Sequence, residues 1–370
     1  MRVLTINSGS SSIKFAYYEW NGSLTPLFKD EITIGQDAGQ TINGLIAGLE
    51  KRDGLSSLGA IGHRITYGAG CREPARITPE LLQELKQISG SDPEHRQGEL
   101  ALIEEFRRRL PGLPQIACVD TSMDASIPDA AKRLPIPRRY NAMGIKRYGF
   151  HGLSYSYLLD ELRRISGRGA ANGRLILAHL GHGASVAAVK NGDPMDTSMG
   201  FTPTSGLVMG SRTGDPDPEV AWYLVQAEGI SPQQFNHLIN HESCLLGVSG
   251  KGSDMRDLIL SQNKDPRTAE PIERFAYQAK KWIGSFAAVL GGLDTLVFSG
   301  GIGENAPEVR ELICQGLQFL GIELDARRNT ANLAIVSSEK SRVSVQVIPT
   351  NEELIIAESV CDFLNHVDKN

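Results

Sequence analysis

The chain has 370 residues, enough for two domains of ordinary size, and its 41% hydrophobic and 22% charged content is normal for a globular protein with a buried core. The formal charge of -5 and the shortness of its basic clusters argue against a nucleic-acid partner. No uncharged apolar run reaches the roughly 18 residues that a membrane span needs, and the N-terminus lacks the apolar segment of a signal peptide. The cysteines are scattered without metal-ligand spacing, which predicts buried thiols in a cytoplasmic protein.

The first predicted element is a β-hairpin over residues 3–22, in which two apolar strands flank a small-residue turn and an Asn-Gly pair follows. Residues 174–192 repeat this order, with His179 at the place of Asn7. Because Asn-Gly beside such runs is a strong hairpin signal, both segments are predicted to form hairpins. Two hairpins of one design, each opening about half of the chain, favour a duplicated α/β domain. A chance likeness between any two β-hairpins is the alternative.

The turn of the first hairpin, residues 7–14, reads Asn-Ser-Gly-Ser-Ser-Ser-Ile-Lys. Serine hydroxyls, backbone N–H groups that glycine leaves accessible and one lysine suit a phosphate group, although the spacing is not that of a Walker A loop. A solvated polar turn is the alternative. The matching turn of the second hairpin, residues 179–183, reads His-Leu-Gly-His-Gly. Phosphate contact is favoured there over zinc, because no third ligand lies nearby in sequence.

Between the hairpins, apolar residues at i, i+3 and i+4 predict helices over 79–89 and 99–109. An apolar run over 115–119 predicts a buried strand that ends at Asp120, and Arg64 also lies where a strand ends. Ligands bind at the carboxyl ends of strands in α/β sheets. Both residues are therefore candidates for a site, with a surface ion pair as the alternative for each.

Two loops in the middle of the chain carry further candidates. His151 lies between glycines within residues 147–154, a setting that favours function over a structural role. Residues 196–219 form a loop-like tract with four glycines and a central Arg212. A structureless stretch of that length inside a compact domain is usually functional, and an exposed linker seldom carries so many large apolar side chains.

Toward the C-terminus, helices and strands are predicted to alternate, which indicates mixed sheets covered by helices. The predicted order is a helix over 272–290, a strand over 294–299, a glycine-rich turn, a helix over 306–319, a strand over 343–348 and a helix over 351–366. At the start of the last helix, a capping box from Thr350 to Glu353 would account for Glu353. Glu352 would then remain for another role.

The glycine-rich stretch LVFSGGIGEN, residues 296–305, fits two classes of enzyme. A strand feeding a glycine-rich turn that opens a helix brings backbone N–H groups close to a nucleotide. Read as G-x-G-x-x-A from Gly301, with acids at Glu323 and Asp325 for a ribose, it is the dinucleotide fingerprint of a Rossmann NAD-dependent dehydrogenase. Read with the two phosphate-suited turns, it is the nucleotide loop of a phosphotransferase.

Short motifs along the whole chain together resemble the acetate kinase family, within the acetate and sugar kinase, Hsc70 and actin superfamily. They occur in the family order and are INSGSSSIKF, GHR, DT at 120–121, RYGFHG, HLG-x-GAS, DTSMGFTP with GLVMGSRTGD, SDMRD, GGIGEN and IPTNEEL. The resemblance implies an α/β fold of two duplicated actin-like (ribonuclease H-like) domains with an interdomain nucleotide cleft, often in a homodimer. The expected domains are 1–150 and 151–354, the second carrying most of the nucleotide site, with a C-terminal helix at about 355–370 packed back on the first.

The same resemblance implies roles for the residues of the reaction. Asp120 corresponds to the catalytic aspartate, and His151 and Arg212 correspond to transition-state stabilisers. Arg64 corresponds to the arginine that holds the substrate carboxylate, a task that suits a planar guanidinium. The implied reaction is direct, reversible in-line phosphoryl transfer between ATP and acetate, giving acetyl phosphate and ADP. Two cationic or donor side chains together with a metal ion suit the charge on the equatorial oxygens of the transferred group.

Metal and nucleotide positions also follow from the resemblance. Asn7 and Glu352 correspond to the magnesium-site residues, with manganese as an alternative ion, and both offer the oxygen ligands that magnesium prefers. The implied ATP-binding positions are Lys14, His179, Leu180, Gly181, His182, Gly183, Asp254, Met255, Arg256, Gly301, Ile302, Gly303, Glu304 and Asn305.

Two of the departures of the sequence from the family pattern bear on the phosphoryl donor and on the acid. His182 replaces an asparagine in the phosphate turn, which leaves pyrophosphate or another donor open. The pocket for the alkyl group of the acid corresponds to Thr66, Glu94, Phe150 and Pro203, of which the first two are polar where the family is apolar. A buried unpaired carboxylate beside a methyl group is costly. Either Glu94 turns away or pairs with Arg96 or Arg72, or this chain prefers an acid that is larger or more polar than acetate.

Several functions therefore stand beside acetate phosphorylation. A kinase for propionate or another short acid belongs to the same class, whereas an NAD-dependent dehydrogenase belongs to a different one. A member that binds nucleotide without turnover is a third alternative. The expected partners are ATP, a short carboxylate and a second copy of the chain, with no nucleic acid and no membrane.

Overall fold

The structure is a computed structural model. It describes residues 1–9, 12–33, 38–52, 57–68, 70–87 and 93–367, with the side chains of residues 38, 52, 93–97, 124, 125 and 367 left aside. The chain divides by its internal contacts into two units: the first comprises Met1–Ser122, Gly152–Tyr157 and Asn351–Asn370, and the second comprises Met123–His151 and Leu158–Thr350. Three segments thus group differently from the domains expected from the sequence: residues 123–150 with the second unit, and residues 152–157 and 351–354 with the first.

Strands and helices alternate along the described chain. The strands are β1 Arg2–Ser8, β2 Ser12–Trp20, β3 Leu24–Thr33, β4 Leu58–Ile65, β5 Ala75–Arg76, β6 Gln115–Val119, β7 Arg174–Leu180, β8 Ala184–Lys190, β9 Asp193–Thr197, β10 Thr295–Ser299 and β11 Ser344–Val347. The helices are α1 Ala38–Arg52, α2 Pro79–Gln87, α3 Pro93–Arg109, α4 Asp129–Lys132, α5 Arg138–Ala142, α6 Gly152–Ala171, α7 Pro218–Glu228, α8 Pro232–His241, α9 Cys244–Ser249, α10 Met255–Ser261, α11 Pro266–Leu290, α12 Gly300–Asn305, α13 Pro307–Cys314, α14 Ala326–Thr330 and α15 Glu352–Val367, with short 3-10 turns at Ser122–Ala125 and Gln318–Leu320.

The sheet of the first unit has the strand order β3-β2-β1-β4-β6-β5. Strands β1, β2 and β3 pair antiparallel, whereas β1, β4 and β6 run parallel. Because side chains alternate across a strand, this sheet has two apolar faces. Leu4 and Ile6 of β1 pack in one core with Phe106 of α3, and Val3 packs in another with Ile356 of α15.

Strand β4 carries a glycine where helix α15 packs on it. A Cβ atom at Gly62 would lie 2.5 Å from Ile356 Cγ2 and 2.7 Å from Val360 Cγ2, closer than real Cβ contacts come. Gly62 therefore lets α15, whose first residue is Glu352, rest directly on the strand that carries Arg64.

The second unit has a sheet with the order β11-β10-β7-β8-β9. Strands β7, β8 and β9 pair antiparallel, and β7, β10 and β11 run parallel. Helix α11 packs on β7 and β8 with a buried stripe at helical spacing that includes Ile272, Phe275, Ala279 and Ile283.

The two sheets repeat one arrangement. The order β3-β2-β1-β4-β6 of the first corresponds to β9-β8-β7-β10-β11 of the second. Asn7 lies opposite Lys14 in the first hairpin, and His179 lies opposite Ser185 in the second. The Asn191-Gly192 turn has φ values of 57° and 86°, the positive values that a type I′ hairpin turn needs. Both predicted hairpins and the duplicated actin-like α/β fold are confirmed.

Some predicted boundaries are wrong. Helix α3 begins at Pro93 rather than 99, and α11 begins at Pro266 rather than 272. The glycine-rich turn at 300–305 is itself helical, and α13 follows it as a separate helix that ends at Cys314. The break between them falls at Ala306, whose φ of -112° and ψ of 82° precede a proline, and the residue before a proline is pushed out of the helical region.

The cysteines are reduced, with Cys118, Cys244, Cys314 and Cys361 buried and Cys71 partly exposed. Burial raises the pKa of the Cys118 and Cys314 thiols to about 12. Across the stretches of chain that the structure describes, no helix combines the length and the apolar character needed to cross a bilayer. The cytoplasmic location stays a prediction.

Candidate active site

A partly buried ion pair joins the ends of two parallel strands in the first unit. Strands β4 and β6 pair in register up to Ile65 and Val119, so Arg64 and Asp120 come together. The Arg64 Nη2 atom lies 2.8 Å from Asp120 Oδ2, and Nη1 donates to the Ser8 carbonyl at 2.9 Å. Asp120 is completely buried. The sequence-based candidates at these two strand ends thus form one cluster.

The backbone fixes Asp120 from both sides. Its N–H donates to the Ile65 carbonyl at 2.9 Å, and its carbonyl accepts from the Gly152 N–H at 2.8 Å. A Cβ atom at Gly152 would lie 2.4 Å from that carbonyl oxygen. The last glycine of the RYGFHG motif is therefore required by its approach to Asp120.

Asn7 meets two carboxylates at the start of α15. Its Nδ2 donates to Glu352 Oε2 at 2.8 Å and to Glu353 Oε1 at 3.0 Å. The predicted capping box is wrong: Asn351 caps this helix by accepting from the Leu354 N–H at 3.4 Å. Glu353, predicted to serve in capping, thus faces Asn7 beside Glu352.

Charge is concentrated around Arg64. Burial opposes its charge, but the carboxylates of Asp120, Glu352 and Glu99 together raise the pKa of Arg64 above its ordinary value. Burial raises the pKa of Glu352, and nearby Asp120 adds to this, while Arg64, Asn7 and Lys14 act in the opposite direction. One guanidinium therefore interacts with several carboxylates, and this arrangement favours the binding of an additional cation.

Thr66, a predicted pocket residue, has a partner that the sequence did not reveal. Its hydroxyl donates to Glu99 Oε1 at 2.5 Å, and its backbone N–H donates to the two carboxylate oxygens at 3.2 and 3.3 Å. Both residues are buried, at 5% and 3% exposure. Glu94 belongs to α3, but its side chain lies outside the described part, so the expectation for it stays a prediction.

The second unit holds His151 in an unusual backbone conformation. His151 precedes α6 with φ 60° and ψ 24°, a left-handed conformation that is uncommon for non-glycine residues, although histidine adopts it more readily than most. Its Nδ1 atom lies 2.7 Å from the buried Ser185 hydroxyl. Its ring lies 4.2 Å from the ring of His179, centroid to centroid. Ser185 was not among the sequence-based candidates.

Arg212 approaches His151 at the turn of the second hairpin, residues 179–183. A Cβ atom at Gly183 would lie 3.6 Å from His151 Nε2 and 3.7 Å from Arg212 Nη1. The same Nη1 donates to the carbonyl of Pro203 at 3.3 Å. The predicted pair of stabilising side chains therefore converges on the backbone of one turn. Phe150, directly before His151, is buried.

The two glycine turns of the second unit lie side by side. A Cβ atom at Gly181 would lie 3.8 Å from the Gly301 nitrogen, and one at Gly300 would lie 2.7 Å from the Leu180 carbonyl oxygen. Gly300 has φ 76°, which favours glycine there. The Leu180 side chain is buried, so it packs in the core. These turns offer closely spaced backbone N–H groups of the kind that bind phosphate.

Side chains hold the second glycine turn in shape. Glu304 Oε1 accepts from the Gly300 N–H at 2.9 Å and from the Thr350 N–H at 3.1 Å. Arg310 is completely buried, and its Nη1 donates to the carbonyls of Gly303 and Glu304 at 2.8 and 3.1 Å. Asn305 Nδ2 donates to the Gly301 carbonyl at 3.0 Å. Glu304 thus stabilises the turn by hydrogen bonds to backbone N–H groups, whereas the sequence predicted only an ATP contact for it.

His182 packs against the Arg212 loop. A Cβ atom at Gly210 would lie 2.6 Å from His182 Cε1 and Nδ1, and the Gly210 N–H donates to the His182 carbonyl at 3.2 Å. The imidazole that replaces the family's asparagine is therefore accommodated by a glycine. The turn and the loop are fastened together at this point.

Two acids near the predicted nucleotide elements have local tasks. Asp254 caps α10 by accepting from the Arg256 N–H at 2.8 Å and also binds the Arg256 guanidinium at 2.7 Å, while Met255 is buried. Asp325, a ribose candidate in the dehydrogenase alternative, caps α14 by accepting from the Arg328 N–H at 2.9 Å. That alternative thereby loses one of its two ribose candidates.

The chain is similar to known kinases over almost its whole length. Residues 28–358 match the model of the acetokinase family. An acetate kinase of Rhodopseudomonas palustris is 39% identical over 97% of both chains, and a propionate kinase of Citrobacter rodentium is 37% identical over 97% of this chain and 96% of its own. The crystal structure of Porphyromonas gingivalis acetate kinase has 32% identity and a TM-score of 0.86, over 98% of this chain and 99% of its own.

Proposed function

The chain belongs to the acetokinase family, and we propose that it phosphorylates a short carboxylic acid with ATP, in the first place acetate to acetyl phosphate, reversibly. The observation that carries this reaction is the partly buried Arg64–Asp120 pair at 2.8 Å beside Asn7 and Glu352. A guanidinium fork suits a carboxylate substrate. The neighbouring oxygen ligands suit the metal that accompanies a nucleotide.

In the proposed reaction, an oxygen of the carboxylate attacks the γ-phosphorus of ATP while the bond to the ADP oxygen breaks. Arg64 binds and orients the carboxylate, and Asp120 holds Arg64 and serves as the catalytic aspartate. His151 and Arg212 act on the negative charge of the transferred group. Such charge stabilisation and positioning supply most of the catalysis in phosphoryl transfer.

We propose Mg2+ (or Mn2+) as the metal, with Asn7 and Glu352 as its protein ligands. Burial raises the pKa of Glu352, and a cation at that carboxylate would offset the cost of its charge. Among the residues that the structure describes, no cluster of three or more His, Cys, Asp or Glu groups forms a metal cage. Magnesium commonly binds through one or two carboxylates together with substrate phosphates, and Glu352 offers one such carboxylate. Bound there, the ion would neutralise phosphate charge.

The nucleotide is assigned to the turns around Gly181–Gly183 and Gly301–Asn305, together with Lys14 and the 254–256 segment. The adjacent backbones of Gly181 and Gly301 support this assignment. Propionate is the second candidate acid, because a 37% identical relative is named a propionate kinase. Pyrophosphate is the second candidate donor, because His182 packs on the Arg212 loop where the family has asparagine.

We also propose a homodimer that forms through α7. No residue of this helix is buried, and Trp222 and Tyr223 are 63% and 67% exposed. Exposed aromatic side chains in a continuous patch commonly mark interfaces. Light scattering after gel filtration should give twice the monomer mass for the wild type and the monomer mass for Trp222→Glu. Leu260→Glu, at another exposed apolar position in α10, is the matched control. Monomeric wild-type protein would refute this assembly.

The reaction is tested by ADP release coupled to a dehydrogenase, with acetate, propionate and other acids, with and without Mg2+, and again with pyrophosphate as donor. Asp120→Asn and Arg212→Ala should each lower kcat by about 100-fold or more, as loss of a transition-state contact does. Asp129→Asn removes the carboxylate of an exposed pair with Arg133 and should leave kcat unchanged. If Asp120→Asn and the control behave alike, the site assignment is wrong.

A further inference from the structure

Thr66, which the family resemblance assigns to the pocket for the alkyl group of the acid, forms a buried polar pair with Glu99. Thr66 lies two residues beyond Arg64 at the end of β4, a separation of about 7 Å along an extended chain. Its hydroxyl and backbone N–H both donate to Glu99 of α3. The charge of Glu99 acts on Arg64, whose pKa it helps to raise. Arg64, Thr66 and Glu99 therefore form one electrostatic neighbourhood.

The hydrogen bonds of this pair set what it can recognise. A threonine hydroxyl has one proton and two acceptor lone pairs, and here the proton goes to Glu99. Toward any further group, the Thr66 oxygen can only accept. Glu99 adds negative charge behind it. Such a surface suits a group that donates hydrogen bonds. A methyl group buried against it would displace the water that hydrates the polar atoms and would form no hydrogen bond in its place.

We propose that Thr66 and Glu99 determine substrate specificity, and that the preferred substrate is a short carboxylic acid with a hydroxyl or ammonium group on the carbon next to the carboxylate. This rests on the proposed function, in which Arg64 holds the carboxylate. The donor group takes no part in the reaction: a carboxylate oxygen forms the bond to phosphorus and ADP leaves. Thr66 accepts the hydrogen bond of the substrate, and Glu99 holds the threonine proton away from it.

The test compares three acids of equal size, propionate, glycolate and glycine, which differ in carrying a methyl, hydroxyl or ammonium group. In the coupled assay, wild-type kcat/KM for glycolate or glycine should exceed that for propionate by about tenfold or more, since a site built for a hydrogen bond strongly rejects an analogue that lacks it. Thr66→Val keeps the shape and removes the acceptor, so the ratio should fall by about the same factor. Glu99→Gln removes the charge and should lower kcat/KM for glycine more than kcat/KM for glycolate.

Thr78→Val is the matched control, because the Thr78 hydroxyl caps α2 by accepting from the Leu81 N–H at 3.2 Å. It should alter stability without changing the acid ratio. Thr66→Ser keeps the hydroxyl and should keep the glycolate preference, which distinguishes the polar contact from a purely structural role and replaces Thr66→Val if that variant does not fold.

The outcomes separate two failures. Turnover of none of these acids, acetate included, would overturn the proposed function. Turnover of acetate and propionate with propionate preferred over glycolate and glycine by the wild type, or an unchanged ratio in folded Thr66→Val, would overturn the specificity inference while the kinase stands.

Discussion

His63, next to Arg64 in β4, is expected to make the stability of the protein depend on pH. Its imidazole is buried, with Nε2 2.7 Å from Gln115 Oε1 and the ring near the edge of Phe106. Burial lowers the pKa of His63 to about 4, although the hydrogen bond to Gln115 opposes this. The folded protein therefore keeps a neutral imidazole at a pH where the unfolded chain binds a proton.

The size of the effect follows from this difference. The unfolded chain takes up the proton near pH 6.5 and the folded protein only near pH 4. The stability contribution is complete above pH 6.5 and is lost as the pH falls through this window. Linkage over about 2.5 pKa units gives a loss of about 3 kcal/mol in total, of which about 2.5 kcal/mol falls between pH 7.5 and pH 4.5.

Urea unfolding of the wild type and of His63→Gln at pH 7.5 and 4.5 measures this loss. Both proteins share all other titrations, so the wild type should lose about 2.5 kcal/mol more than the variant between the two pH values. His237→Gln, at a histidine that is 58% exposed, should lose as much as the wild type. Equal losses in the wild type and His63→Gln would refute the reasoning, because His63 would then bind its proton alike in both states.

Other changes have equally direct readouts. Gly62→Ala should destabilise by about 1–3 kcal/mol in urea unfolding because the methyl group overpacks against α15, and unchanged stability would contradict the packing. Ser185→Ala should lower kcat and shift the pH–rate profile with little change in KM for ATP, because it removes the 2.7 Å partner of His151 Nδ1; an unshifted profile would exclude this role. Burial raises the pKa of Glu352, so the destabilisation caused by its charge grows as the pH rises through that pKa. Glu352→Gln should therefore raise Tm above that of the wild type by more at pH 8 than at pH 5, while abolishing turnover. A variant Tm below that of the wild type at pH 8 would contradict this reasoning. Cys71 should react first with a thiol reagent in the folded protein, since it alone of the five thiols is partly exposed.

The elements that are predictable from the sequence are those specified by neighbouring residues. The turn at Asn191-Gly192 needs two positive φ values, and Asn-Gly is the pair that adopts them most readily. Helix α12 has no such local signal, because glycines disfavour helices, and its support comes from farther along the chain. Arg310 binds the carbonyls of Gly303 and Glu304 at the end of that turn, a contact that no local pattern announces.

Residues of the site are likewise predictable only where neighbouring residues in the sequence indicate them. Arg64 and Asp120 are candidates from the sequence alone, because each stands where an apolar run ends. The partners of Asn7 lie 345 and 346 residues away, so the joint use of Glu352 and Glu353 depends on the packing of α15. Glu99 is likewise 33 residues from Thr66 and sits in a helix whose pattern records only its apolar face. Ser185 could have been identified from the sequence, because the predicted hairpin pairing sets it opposite His179.

The repeated hairpin shows how one scaffold supports two chemistries. The equivalent residues Asn7 and His179 occupy the second-last position of β1 and β7. In the first unit this position faces carboxylates, an oxygen-rich setting that suits a cation. In the second it faces the ring of His151, beside turns whose backbone N–H groups suit anions. Phosphoryl transfer from ATP needs a cation setting and an anion setting. The two hairpins differ accordingly at this position and at the residue opposite it, which is Lys14 in the first and Ser185 in the second.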